Sequence, residues 1–192
     1  WPVPLILAYA GALFALSPFS GFSRRVKRLM LLTPPICAAL AYLITFHFPS
    51  AGLELTFLSV GQADAAVVRA GGEVSLVDVG DDDEAADYLA SSGLSAARVF
   101  LTHPHEDHAA GLAELIRLNP PGTVYLPWCW DQLPADRSVA GVADAAAAAG
   151  WRVEYLHKGD RVPLGGGAFA EVVHPADDFP TDDANAASMV LN

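Results

Sequence analysis

The stretch that most constrains this chain runs from Val99 to Gly111, Val-Phe-Leu-Thr-His-Pro-His-Glu-Asp-His-Ala-Ala-Gly. The apolar run Val99 to Leu101 predicts a buried strand. Ala109 onward predicts a helix that buries Leu112, Leu115 and Ile116 at the helical period. Between strand and helix stand His103, His105, Asp107 and His108. His103 and His105 are two apart in an extended segment, so they project to one side and can share one metal ion. Asp107 and His108 fall at the following turn and face a second position. Imidazole nitrogen beside carboxylate oxygen is a donor set that suits zinc and manganese alike. Two such ions about 3.5–4 Å apart would polarise a substrate and activate water between them. One histidine alone is ordinary, and one aspartate before a helix is an ordinary cap. The four together after a strand predict a metal site, with Asp107 as its candidate catalytic residue.

Charge divides the chain in two. Residues 1–52 contain no Asp or Glu and only Arg24, Arg25, Lys27 and Arg28 as bases, within a whole-chain net charge of −11. Residues 53–192 carry all 22 acidic residues against seven basic ones, a formal −15. Such a surface disfavours broad nucleic-acid binding, because phosphate contacts need Lys and Arg. At about 140 residues, the second part is long enough to bury its own core.

Two apolar runs in the first part, about 3–19 and 29–48, predict transmembrane helices joined by the basic loop. Pro34 and Pro35 would kink the second, which neighbouring helices tolerate. The positive-inside rule puts that loop in the cytoplasm and everything after Pro49 on the far side of the membrane. Cys37 and Cys129 lie in different parts, so no disulfide is expected, and Cys129 reads as a packed thiol.

The second part alternates strands and helices. Leu53 to Ser59 predicts a strand, and Ala65 to Arg69 with Val74 to Val79 a hairpin around Gly71-Gly72. Asp81 to Glu84 reads as the acidic start of a helix, Ala85 to Ser92, closed by Gly93. Thr123 to Leu126 predicts a strand, Val139 to Ala149 a helix, and Arg152 to Tyr155, Arg161 to Pro163 and Ala168 to His174 further strands. Gly165-Gly-Gly167 reads as a hairpin turn, since no Lys-Ser or Lys-Thr and helix follow it. Ala187 to Leu191 begins another strand. Trp128 and Trp130 read as buried aromatics or as a cleft lining. Asp177, Asp178, Asp182 and Asp183 read as a solvated loop. Strands in two groups with helices between them predict a mixed α/β, four-layer αββα sandwich, incomplete at its C-terminal end.

His103-Pro-His105-Glu-Asp107-His108 matches the H-x-H-x-D-H motif of the metallo-β-lactamase-like superfamily, whose fold is that same sandwich. More narrowly, Leu58-Ser-Val-Gly-Gln-Ala-Asp64, Leu76-Val-Asp78-Val-Gly80 and Leu101-Thr-His103-Pro resemble the ComEC family of bacterial competence proteins. That family usually carries Gly where this chain has Ala63. The motif resemblance covers roughly residues 53–192, and the apolar runs before it fit the same family's layout.

The resemblance implies a membrane-anchored, metal-dependent hydrolase acting in DNA uptake during natural transformation. It implies a phosphodiesterase or nuclease that holds two divalent transition-metal ions, His103 and His105 on one, Asp107 and His108 on the other. Asp78 would brace the histidine loop without ligating, although a carboxylate at a strand end also serves as a cap or turn former. His174 or Asn185 would take a third ligand position, and the choice stays open on sequence. A bridging Asp and a final His would follow Leu191. The implied partners are transforming DNA, membrane lipid and other competence-channel subunits, with no soluble cofactor. The implied location is the bacterial inner membrane, multi-pass, with the hydrolase domain on its extracytoplasmic side. The alternatives are the same metal chemistry on a lactam, thioester or phospholipid-like substrate, or a degenerate structural domain of a membrane channel.

Overall fold

The structure is a computed structural model, and it describes Gly21, Ser23, Val26, Ile36 and residues 52–192. The predicted spans 3–19 and 29–48 lie, apart from Ile36, outside the described residues. Among the described residues no helix is long and apolar enough to cross a membrane.

Among the described residues, nine strands and four α-helices succeed one another from Leu53 onward. In order they are β1 (Leu53–Phe57), β2 (Ala65–Ala70), β3 (Glu73–Val79), α1 (Glu84–Ser92), β4 (Arg98–Phe100), α2 (Glu106–Ala109) and α3 (Leu112–Leu118). Then come β5 (Thr123–Pro127), α4 (Val142–Ala148), β6 (Arg152–Leu156), β7 (Arg161–Gly165), β8 (Ala168–His174) and β9 (Val190–Leu191). One sheet has the order β1-β2-β3-β4-β5-β6, and a second has β7-β8-β9. The first three strands pair antiparallel, whereas β3 to β6 run parallel through helical crossovers.

The large sheet is apolar on both faces, which explains why its strands read as continuous apolar runs. Val67, Leu76, Val99, Leu101, Val124 and Leu126 pack on one face against Ala85, Leu89, Leu112, Leu115 and Ala146 of the helices. Val68, Ala70 and Phe100 pack on the other against Val162, Leu164, Ala170, Val172 and Met189. The described residues thus build three layers of the expected αββα sandwich, helices, sheet and sheet. The two hairpin turns meet backbone to backbone, because a Cβ on Gly71 would overlap Gly166 and one on Gly165 would overlap the Ala70 carbonyl.

Three expectations shift. The helix after the histidines begins at Glu106, so Asp107 and His108 belong to its first turn and not to a turn before it. The alanine-rich helix is shorter than Val139 to Ala149, because Gly141 takes a positive φ of 80° just ahead of Val142. Strand pairing near the end is limited to Val190–Leu191, since Ala187 and Ser188 are turned back onto Asp183 and Asn185.

Candidate metal centre

The site is built at the C-terminal ends of β3 and β4. Pairing of β2 with β3 slips by one residue, Ala65 opposite Val79 and Ala66 opposite Val77, so Asp78 is bulged out of the ladder. Asp78 sits at φ 54°, in the left-handed region that Asp tolerates better than most residues. A bulge re-aims a side chain, and this one turns a buried carboxylate toward the neighbouring loop. Asp78 accepts the Thr102 N–H at 2.8 Å, the Thr102 hydroxyl at 2.8 Å and the His108 Nδ1–H at 2.8 Å.

Each of those bonds orients something further out. The Thr102 hydroxyl gives its proton to Asp78, so its oxygen accepts from His103 Nδ1 at 3.0 Å. That leaves His103 Nε2 as the ring's lone-pair nitrogen, 3.1 Å from His105 Nδ1. His108 spends Nδ1 on Asp78 and turns Nε2 toward two carboxylates, Asp107 Oδ2 and Asp64 Oδ2, each 3.7 Å away. The His103 and His108 ring centroids are only 4.1 Å apart. Two pairs of donors therefore adjoin: His103 with His105, and His108 with Asp107.

Burial, with the neighbouring His108 and His105, lowers the His103 pKa to about 4, so this ring is neutral at ordinary pH. Burial works against protonation of His108 too, but the Asp78 carboxylate outweighs it and raises that pKa. Burial raises the Asp78 pKa, and the bonds from His108 and Thr102 oppose it. Three donors converge on Asp78. The carboxylate–imidazole contact fixes the tautomer that exposes Nε2, an outer-shell arrangement common beside metal ligands.

The donors fit a pair of divalent ions as two half-shells. Donors on one tetrahedral zinc lie roughly 3.4 Å apart, close to the 3.1 Å of His103/His105 and the 3.7 Å of His108/Asp107. Among the described residues no three His, Cys, Asp or Glu side chains close into a metal-holding group. Of the two candidates for a third position, Asn185 lies near enough to the His103 ring to favour its protonated form. His174 instead uses its Nε2 on the Ala186 carbonyl at 2.9 Å and packs edge-on against Phe179.

The surroundings lock the loop. Asp64 N–H donates to the Asp107 carbonyl at 3.0 Å, Gly80 N–H to Asp64 at 3.0 Å, and Gly111 N–H to Gly80 at 3.0 Å. A Cβ on Gly111 would run into the Val79 and Asp82 carbonyl oxygens, so only glycine lets α3 start this close to the end of β3. On the other flank the Asp136 carboxylate accepts the Glu106 N–H at 2.9 Å, and the Asp136 N–H donates to Pro104 at 3.0 Å. Asp64 and Asp136 were not among the expected site residues. Asp64 stood inside a motif that pointed to it, whereas nothing local marked Asp136.

Residues 58–127 match the family described as the metallo-beta-lactamase superfamily, and they fall within the mixed α/β, sheet-rich core. Among curated proteins, it is 42% identical over 52 residues to a hydroxyacylglutathione hydrolase of Pseudoalteromonas translucida, covering 27% of this chain and 20% of that one. It is 33% identical over 82 residues to a hydroxyacylglutathione hydrolase of Chromohalobacter salexigens, covering 43% and 31%. The chain thus spans a third or less of the length of these relatives. Among solved structures, it is similar to the subclass B3 metallo-beta-lactamase MEM-A1 from a soil metagenome library. That match has 20% identity and a TM-score of 0.46, and covers 62% of this chain and 48% of that one. The di-iron-bound form of TTHA1623 is 28% identical, with a TM-score of 0.43 and coverage of 63% and 60%.

Proposed function

We propose that residues 53–192 form a metal-dependent hydrolase that cuts phosphodiesters, with DNA as substrate, in a membrane protein of DNA uptake. The observation that carries this reading is the meeting of three separate segments at one imidazole. Asp64, Asp78 and the histidine loop are distant in sequence and resemble one competence family, and all three close around His108. Divalent ions held by His103, His105, Asp107 and His108 would supply Lewis acidity toward the scissile group and lower the pKa of water. The protein's own contribution is orientation. Asp78 holds His108 and Thr102, Thr102 holds His103, and burial keeps His103 unprotonated and ready to donate. Asp107, half-exposed beside His108, is the candidate catalytic carboxylate. Zinc, manganese and iron all suit this donor set.

In this proposal the hydrolase domain lies on the extracytoplasmic side of the inner membrane, following the predicted spans, and works beside other channel subunits. A second reading is favoured by the curated relatives: the same site acting on a hydroxyacylglutathione. The test is hydrolysis by the 192-residue chain, loaded with manganese or zinc, of single-stranded DNA and of a hydroxyacylglutathione. DNA cleavage lost on replacing His105 and Asp107 by Ala supports the phosphodiesterase. Turnover of the hydroxyacylglutathione alone overturns it in favour of the second reading.

A further inference from the structure

The seven basic side chains of residues 53–192 divide unevenly. Arg69, Arg98, Arg117, Arg152 and Arg161 each lie within ion-pair distance of a carboxylate. Arg137 and Lys158 have no carboxylate partner among the described residues, and both lie beyond the C-terminal ends of the parallel strands. Arg137 follows Asp136, which is tied to the histidine loop through Pro104 and Glu106. Lys158 follows β6, in a turn held in place by its neighbours. His157 N–H donates to Asp160 Oδ2 at 2.8 Å, and Gly159 N–H to the Val172 carbonyl at 2.7 Å. Ligands of open α/β sheets bind beyond these strand ends. In a domain this acidic, cations left without partners at that rim point to an anionic ligand.

A stacked pair of rings adjoins Lys158. The Trp128 ring, leaving β5, lies within 13° of parallel to the His157 ring, centroids 6.3 Å apart. His157 Nδ1–H donates to Asp177 Oδ1 at 2.8 Å, which fixes the ring while its side chain stays 54% exposed. Trp128 Nε1 is buried with no hydrogen-bond partner in the protein. Trp128 packs against the buried cluster of Cys129, Leu133, Ala184 and Ala187, which includes the residue before Asn185. Asp160 and Asp177 are the carboxylates facing His157, and both already accept its hydrogen bonds.

We propose that Trp128, His157 and Lys158 form a nucleotide subsite, with one base stacked on the exposed His157 ring, which Trp128 backs, and its phosphate on Lys158. This rests on the phosphodiesterase reading and deepens it. A base can lie on such a platform only when it is unstacked, so the substrate class is single-stranded nucleic acid. The −15 surface confines the contact to about one nucleotide, in place of the long basic groove of a general strand binder.

The test is equilibrium binding to the 192-residue chain without added metal, followed by tryptophan fluorescence, with dAMP, deoxyadenosine and inorganic phosphate as probes. The expected result is that dAMP binds more tightly than either of its parts. His157→Ala weakens dAMP about tenfold, the share one base–ring contact carries, and leaves inorganic phosphate unchanged. Lys158→Ala weakens dAMP and phosphate but not deoxyadenosine. Inorganic phosphate binding as well as dAMP, or dAMP indifferent to both substitutions, overturns the subsite. Turnover of a hydroxyacylglutathione with dAMP binding lost in both variants overturns only the phosphodiesterase. DNA cleavage with dAMP binding untouched by either variant overturns only the subsite.

Discussion

Replacing Asp78 with Asn removes one charge and almost no volume, so its effect is set by the hydrogen bonds around that side chain. The Asn carbonyl still accepts the Thr102 N–H, and Asn tolerates the φ of 54° that Asp78 occupies. Its amide then faces His108 Nδ1, where the carboxylate accepted a proton at 2.8 Å. His108 satisfies that amide only by accepting at Nδ1, which moves the ring proton to Nε2 and removes the lone pair aimed toward Asp107. Three bonds to a carboxylate become bonds to a neutral amide, a loss of about 1–2 kcal/mol in stability. Loss of such an outer-shell partner weakens metal binding by about 10–100-fold. Asp78→Ala is harsher, at about 4 kcal/mol, because it leaves the Thr102 N–H without an acceptor and puts Ala at a positive φ. The assay is a zinc or manganese titration of both chains, with imidazole nitrogen NMR to read the His108 tautomer. Asp78→Asn that binds metal as tightly as the unsubstituted chain, with His108 still protonated at Nδ1, would refute this reasoning.

Three further outcomes are expected. The His103 pKa near 4 lies below the free value of 6.5, so the unfolded chain takes up this proton first as pH falls. Stability from this group is complete above about pH 6.5 and declines toward pH 4, by roughly 3 kcal/mol. His108, whose pKa is raised, runs the other way, contributing below 6.5 and losing that contribution as pH rises through its folded value. Metal-free urea unfolding of the chain and of His103→Gln at several pH values isolates the first effect; a difference that stays constant from pH 7 to 4 would refute it. Gly111→Ala drives a methyl group into the Val79 and Asp82 carbonyls and should cost about 1–3 kcal/mol, read as a lower urea midpoint. Asn119→Ala strips Ala96 N–H and C=O of their buried partners at 2.9 Å and should cost about 2 kcal/mol by the same measurement.

Much of this centre was legible because its residues are close in sequence. His103 and His105 sit on an extended segment and Asp107 and His108 on a helix start, so spacing alone brought each pair together. The hairpin turns were legible from Gly71-Gly72 and Gly165 to Gly167, residues that supply positive φ at no steric cost. The bulge at Asp78 was not legible: Leu76-Val-Asp78-Val reads as an uninterrupted strand, and only pairing with β2 shows the extra residue. Which of Asn185 and His174 lies nearer to His103 was not legible until β8 and the segment after Ala184 were placed. Then Met189 N–H bonded the Thr102 carbonyl at 2.9 Å and carried Asn185 to His103, while His174 turned to Ala186. Asp136 and the Trp128–His157 platform depend on loops from neighbouring strands meeting in space, which no local pattern encodes.

The most direct test of the central claim is elemental metal content per chain at neutral pH, for the 192-residue protein and for the double substitution His105→Ala, Asp107→Ala. Because His103/His105 and His108/Asp107 are oriented as two adjoining donor pairs, the protein should carry one to two transition-metal ions per chain. The double variant should carry almost none. Metal content unchanged by removing a donor from each pair would contradict the account.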